Sequence, residues 1–514
     1  MAVVEIVSDS SNYLLLIVAF FIYFSWHAVK FWNNKHLDNR EPPPIPYWVP
    51  GIGHTLSFLS DADKMIDHAL AYLKTKRSPF KLHVGGKSLY VVQDVPLISD
   101  VHKRVKELSN DIFIELLLTA AGVSDSTRTR LWSSISPEIK DSILRALTNN
   151  FQTALRAHYR RNSITLGLLS QIQLAPSSLP LYHPLRISID GPAEVSLHNW
   201  VVDALVTITT DSLFGKVCIA RFPQLKDNLY LLHMNIPDIF SSRPRRIFPK
   251  AYAATDNLVR DFEEYFDLPK EERMDRAEIV TMIEDKLSSA GLSNKELAML
   301  FIWAFWGMLG NSSTTVFWLL CHTLYDPTLF SAVRAECDRA FPETSDMPPH
   351  EIPARLESCP TLKAAFQETL RLYAGMSIFR HVYEDTEIGP YHLRKGSNLM
   401  IPYNRLHVDK SYWGPDAEEF KYRRFLDNPE LANSRYFRPF GEGTHQCGGR
   451  MVTPIMAMYF VATVVCRYDV AIVGGVEKYP LPRVETARRM ATVTTKVPVA
   501  GDVPRITISP RVKV

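Results

Sequence analysis

Long apolar runs at helical spacing, broken by a few short alternating stretches, make this a mainly α-helical chain with a small β region. Three features carry that reading. The pattern from about Pro96 to Ala340 is mostly helical and includes an apolar run from Leu297 to Leu324. Phe80–Gln93 alternates around the turn pair Gly85-Gly86. An uncharged apolar stretch near the N-terminus stands apart from the rest, so the helical body is expected behind a single transmembrane helix.

Composition narrows the class. The chain has 514 residues, 46% hydrophobic and 22% charged, an ordinary globular balance. A formal net charge of +3 gives no case for nucleic-acid binding. The six cysteines (218, 321, 337, 359, 447 and 466) are scattered and include no CxxC pair. A structural zinc site and a disulfide framework are therefore not expected, which suits a reducing compartment.

In chain order, residues 1–9 read as a short luminal tail and residues 10–29 as a membrane anchor. Ser10 to Val29 contains no Asp, Glu, Lys or Arg, and about 20 residues of helix span a bilayer core. Tyr13, Trp26 and Trp32 suit the interfaces. Glu5 and Asp9 precede the run, while Lys30, Lys35 and Arg40 follow it. The positive-inside rule then puts the body on the cytoplasmic side. A cleaved signal peptide competes with this reading, but a basic leader and a small-residue cleavage site are missing. Residues 30–54 form a basic, proline-rich hinge that is expected to be stiff and extended. Residues 55–514 are the body.

Phe80–Gln93 is expected to be a β-hairpin. Loops are expected at Ser177–Pro184, Asn235–Pro249 and Leu268–Arg273. The apolar segments Ile112–Ala121 and Leu229–Phe248 line a pocket, touch a membrane or pack as ordinary core. Leu297–Leu324 is apolar nearly all round and belongs in a large core. Its middle is small and polar (Gly307, Gly310, Asn311, Ser312, Ser313, Thr314, Thr315), which argues against a second membrane span and marks where something approaches the helix. Thr361–Tyr373 carries Glu368 and Arg371 on one helix face. Strand-like pieces follow at Ile378–Tyr383, Glu387–Leu393 and Asn398–Ile401, then the run His407–Phe425. Phe440-Gly-Glu-Gly-Thr-His-Gln-Cys-Gly-Gly-Arg450 sets one cysteine between glycine pairs, just before the helix-like run Met451–Val465. Glycines let backbone approach a flat ligand. A cysteine at a helix start is favoured as thiolate, and a thiolate is a fifth ligand for haem iron.

These motifs resemble the cytochrome P450 family. The cysteine loop matches the family's haem-binding signature at Phe440, Gly441, Gly443, Cys447 and Gly449, and departs from it at His445, where arginine is usual. Glu368, Arg371 and Arg424 correspond to its structural triad. The resemblance implies a cytochrome P450 fold holding haem b, with Cys447 as axial iron ligand and Arg380 and His445 at the haem propionates. With His445 carrying no fixed charge, haem is expected to be held more weakly. It also implies electrons from NADPH through NADPH–cytochrome P450 reductase. A basic patch of Arg435, Arg438 and Arg450 is a candidate reductase contact. The substrate is expected to be a hydrophobic small molecule, with Met376, Ser377 and Ile378 near it, and the protein a monomer in the endoplasmic reticulum membrane.

The central helix departs further. Counting back from Trp318, Gly310-Asn311 stands where most members have an acid followed by threonine. Asn311 donates and accepts hydrogen bonds but is no general acid, leaving Asn311 and Ser312 as candidate proton-relay groups. This is similar to the branch with prostacyclin synthase, sterol 12α-hydroxylase and fungal secondary-metabolite members. Three readings stay open: a monooxygenase of a terpenoid, steroid-like or similar molecule, a haem-thiolate isomerase or dehydratase that rearranges a peroxide without a reductase, and a non-catalytic membrane haem-binding protein.

Overall fold

The structure, a computed structural model, describes residues 18, 21–26, 40–47, 49, 52–120, 122–133, 142, 163–178, 193–240, 245–246, 249–342, 347–443, 446–485 and 495–511. The described body is mostly helical with small sheets, as expected. It divides into two units. One is built from described residues up to 112 with Ser377–Pro402, the other from described residues of 113–376 and from 403 onward.

The first unit holds a five-stranded sheet ordered Phe80–Val84, Lys87–Val91, Asn398–Pro402, Ser377–Val382 and Leu108–Ser109. The hairpin is present, with Phe80 opposite Val91 and Val84 opposite Lys87. Gly85 and Gly86 both have positive φ, 59° and 76°, as a tight two-residue hairpin turn requires. Lys87–Val91 runs parallel to Asn398–Pro402. Phe58, Ile66, Phe80, Leu82, Val91 and Met400 form the core of this unit. The hinge does not stand off as a free spacer where it is described. Pro44 bridges Lys81, and Ile45 N donates to Lys81 O (2.9 Å). Glu41 accepts from Lys81 Nζ (2.6 Å) and Tyr90 OH (2.8 Å) and lies 2.9 Å from Arg394 Nε.

The second unit is organised around the helix Asn294–Tyr325, about 48 Å long at 1.5 Å per residue. It starts at a capping box in which the Ser293 side chain accepts from Glu296 N while the Glu296 side chain reaches back to Ser293 N. The helices Leu197–Phe214, Pro249–Asp267, Pro360–Tyr373 and Thr453–Arg467 pack on it. A three-stranded sheet, with Arg505–Pro510 between Ala193–Ser196 and Tyr468–Ile472, ties the C-terminus to this unit.

Two expected loops are different. Helix Leu225–Phe240 covers the first part of Asn235–Pro249. Leu229, Leu232 and Ile239 are buried on it, and packing against Pro249–Asp267 carries the helix through Pro237. Within Leu268–Arg273, Lys270–Arg273 is a turn of 3₁₀ helix, held by the buried pair Arg273–Glu284 at 2.9 Å.

The expected anchor at 10–29 lies mostly outside the described residues. Within it, 21–26 are helical, with Phe21, Ile22, Tyr23 and Trp26 exposed. Among the described residues no helix is long and apolar enough to cross a membrane. All six cysteines are free thiols, and all but Cys447 are buried.

Candidate functional site

The cysteine loop is shaped by its glycines. Gly441 and Gly443 take φ of 73° and 78°, which side chains rarely adopt. Cys447 N donates to Phe440 O (2.9 Å), closing the loop on itself. The expected direct helix start is one step removed: Cys447 precedes a 3₁₀ turn, Gly448–Arg450, and the long helix begins at Thr453. Burial pushes the Cys447 thiol up, while the Gly449 N–H and the nearby Arg450 charge act in the opposite sense. A Cβ on Gly449 would lie 3.2 Å from Thr453 Oγ1 and 3.5 Å from Cys447 Sγ, so glycine keeps the space beside the sulfur open.

Cys447 lines a cavity of about 310 Å³. Phe440, Gly448 and Gly449 share its lining with Gly307, Asn311 and Ser312 of the central helix. The thiol is accessible in area yet desolvated enough for its pKa to rise, which fits a sulfur that opens onto this cavity. Among the described residues the lining contains no Asp, Glu or His. Among the described residues no group of three His, Cys, Asp or Glu side chains suits a metal ion. A single thiol cannot hold a bare cation, but it suffices for an iron that brings its other ligands in a flat macrocycle. Haem therefore fits these residues.

Asn311 accepts from Thr495 Oγ1 (3.3 Å), and its Nδ2 lies 3.5 Å from Gly307 O. Ser312 Oγ donates back to Met308 O (2.7 Å), as Thr315 Oγ1 does to Asn311 O (2.8 Å). Thr495 also lines the cavity. Sequence reading missed it. The next residue fixes its segment: Trp318 Nε1 donates to Lys496 O (2.7 Å), and Lys496 N donates to Tyr373 O (2.9 Å).

The triad is assembled. Arg371 donates through Nε and Nη2 to the two Glu368 oxygens at 2.8 and 2.7 Å, and both side chains are fully buried. Arg424 Nε lies 3.4 Å from the same carboxylate. Arg371 also donates to His407 O (2.7 Å) and Ala417 O (2.5 Å), and Arg424 donates to Trp413 O (2.8 Å). The connection onward to the cysteine loop is His407, which the sequence reading quoted only as the start of a run. Its Nε2 accepts from Arg438 N (3.0 Å), two residues before Phe440. Burial lowers the His407 ring to about 3, so it is neutral and free to accept.

Arg380 is buried on strand Ser377–Val382 of the first unit, where Nη1 donates to Phe379 O (2.8 Å). Ser377 and Ile378 share that strand, whereas Met376 lines the Cys447 cavity. His445 lies outside the described residues. Arg438 is engaged within its own loop, donating to Phe437 O (3.0 Å) and facing Glu442 at 3.5 Å.

Comparison with known proteins agrees with this geometry. Residues 192–495 match the family model described as Cytochrome P450. A cytochrome P450 monooxygenase of Penicillium oxalicum, poxD, is 28% identical over 86% of this chain and 90% of its own length. Prostacyclin synthase of Rattus norvegicus is 28% identical over 86% and 89%. The 5-beta-cholestane-3-alpha,7-alpha-diol 12-alpha-hydroxylase of Sus scrofa is 23% identical over 87% and 90%.

Proposed function

Because the chain belongs to the cytochrome P450 family and is a monooxygenase of that family, we propose that it oxidises a hydrophobic small molecule of terpenoid, steroid-like or similar type in secondary-metabolite biosynthesis. The observation that carries this reading is the Cys447 thiol opening onto a largely apolar cavity faced by the central helix. The 12α-hydroxylase relative, named for a sterol substrate, supports the substrate class by analogy.

Cys447 would hold haem b through its thiolate, and Phe440 and Gly449 line the same cavity. When bound, the haem supplies the oxygen chemistry. The chain supplies a largely apolar cavity, a hydrogen-bonding carboxamide at Asn311 held by Thr495 and, among the described lining residues, no carboxyl acid. Ser312, committed as a donor to Met308 O, can only accept at the cavity. In this proposal electrons come from NADPH through NADPH–cytochrome P450 reductase. The protein works as a monomer, held at the endoplasmic reticulum membrane by residues 10–29 with its body on the cytoplasmic side.

The test is in three parts. Reduced, CO-treated holoprotein is expected to show the strongly red-shifted Soret band of thiolate ligation; a folded, haem-loaded protein without it overturns the site. Oxidised metabolites are expected only with both NADPH and reductase, whereas peroxide rearrangement without reductase would identify an isomerase instead. Removal of residues 1–29 is expected to release the protein from alkali-washed membranes; retention overturns the anchor.

A further inference from the structure

The opposite side of the central helix carries groups that the monooxygenase reading leaves unused. Gly310 is absent from the lining of the Cys447 cavity and lines a second, much smaller chamber with Trp306, Ser313, Val206, Tyr230 and His233. That chamber measures about 10 Å³, room for roughly one water. A Cβ on Gly310 would fall 2.8 Å from His233 Nδ1, so the imidazole takes the place that a side chain at 310 would fill.

The hydrogen bonding of His233 fixes its tautomer. Trp306 Nε1 approaches His233 Nδ1 at 3.4 Å. An indole N–H only donates, so Nδ1 accepts and the neutral ring carries its proton on Nε2. Burial, with a smaller contribution from His198, lowers the ring to about 4, so it is neutral near pH 7. Nε2 is buried without a partner. Leaving a buried donor unpaired is unfavourable, and the chamber beside it has room for a water that would accept from it.

The chamber is close to solvent. Val202, Val206 and Tyr230, which line it, also line an open cleft of about 800 Å³ carrying Glu194, Asp203 and Asp227. We infer that cleft and chamber form one water passage to the back of the central helix at Gly310, with His233 Nε2–H holding the innermost water and Val202, Val206 and Tyr230 forming its neck. His233 is a positioning residue in this passage. Its purpose rests on the monooxygenase reading: that chemistry consumes protons, and among the described residues lining the Cys447 cavity there is no Asp or Glu to bring them. Gly310, which lines the chamber, is the chain neighbour of Asn311, and the Ser313 hydroxyl in the chamber donates to Leu309 O (2.9 Å).

A high-resolution crystal structure of the haem-loaded protein is expected to show an ordered water within hydrogen-bonding distance of His233 Nε2. In protein with isotope-labelled histidine, the His233 ring N–H is expected to exchange with solvent by NMR. Val206→Phe, which fills the neck, should slow that exchange several-fold; Val202→Phe is the second neck variant, and the CO-bound spectrum selects whichever folds. A dry chamber, or exchange unchanged in the folded neck variants, overturns the passage. Neither readout depends on turnover, so an inactive protein that keeps the water and the slowed exchange sinks only the proposed function.

Discussion

Replacing Cys447 by serine removes the soft ligand while changing the side chain by one atom. Loss of the red-shifted CO-bound band and of NADPH-supported turnover is expected, with circular dichroism and the unfolding midpoint little changed, because the loop is closed by backbone at Phe440. Glu368→Gln acts differently. Glu368 and Arg371 are both fully buried and bonded through two oxygens, so halving the pair strands a buried guanidinium and costs about 3–5 kcal/mol. The expected outcome is haem-poor protein with a lower urea midpoint; full haem content at unchanged stability would argue against a structural triad. Cys447 and the triad were legible from sequence because their chemistry tolerates few substitutes. His407, Thr495 and His233 were not. Each acquires its role from a partner distant in the chain, as Thr495 does from Asn311 across 184 residues, and nothing local distinguishes it from other buried polar residues.

At the scale of elements, local signals succeeded where the chain's own pattern decides the outcome, as Gly85-Gly86 does in turning the hairpin. The apolar run of the central helix marked its body but not its start, which the Ser293–Glu296 capping box sets at Asn294, three residues before Leu297. The sequence misled where packing decides. Leu225–Phe240 continues as helix through a proline because its buried leucines have a partner. The proline-rich hinge, expected only to be stiff and extended, also pairs with a sheet edge through Glu41. Composition reports stiffness in such a segment but not the carboxylate that catches it. Glu41 is mostly buried among Lys81, Tyr90 and Arg394. Glu41→Gln is therefore expected to cost about 1–3 kcal/mol and to speed proteolysis at residues 40–47. Cleavage as slow as in the wild type would show that backbone pairing alone holds the hinge.

Across the whole molecule, buried neutral histidines make stability depend on pH. His198 and His233 are lowered to about 4, and His322 and His407 to about 3, each chiefly by burial, from an ordinary value of 6.5. The sign follows directly. A ring whose folded pKa is depressed stays neutral in the native state while the unfolded chain takes up its proton, so unfolding gains as pH falls. The stability these rings confer is complete above about pH 6.5, declines below it, and stops declining near pH 3–4 where the native rings charge. At pH 5 each contributes a loss of up to about 2 kcal/mol. The urea midpoint is thus expected to fall steeply between pH 7 and pH 5, before most carboxylates titrate. His322 stacks on Phe420 at 3.8 Å and pairs with Tyr373 OH at 2.8 Å, so His322→Phe keeps the stack and deletes one silent titration. That variant is expected to lose about one proton of uptake on unfolding near pH 5 and to flatten the profile accordingly. An unchanged slope would mean that the native ring at 322 already binds its proton at that pH.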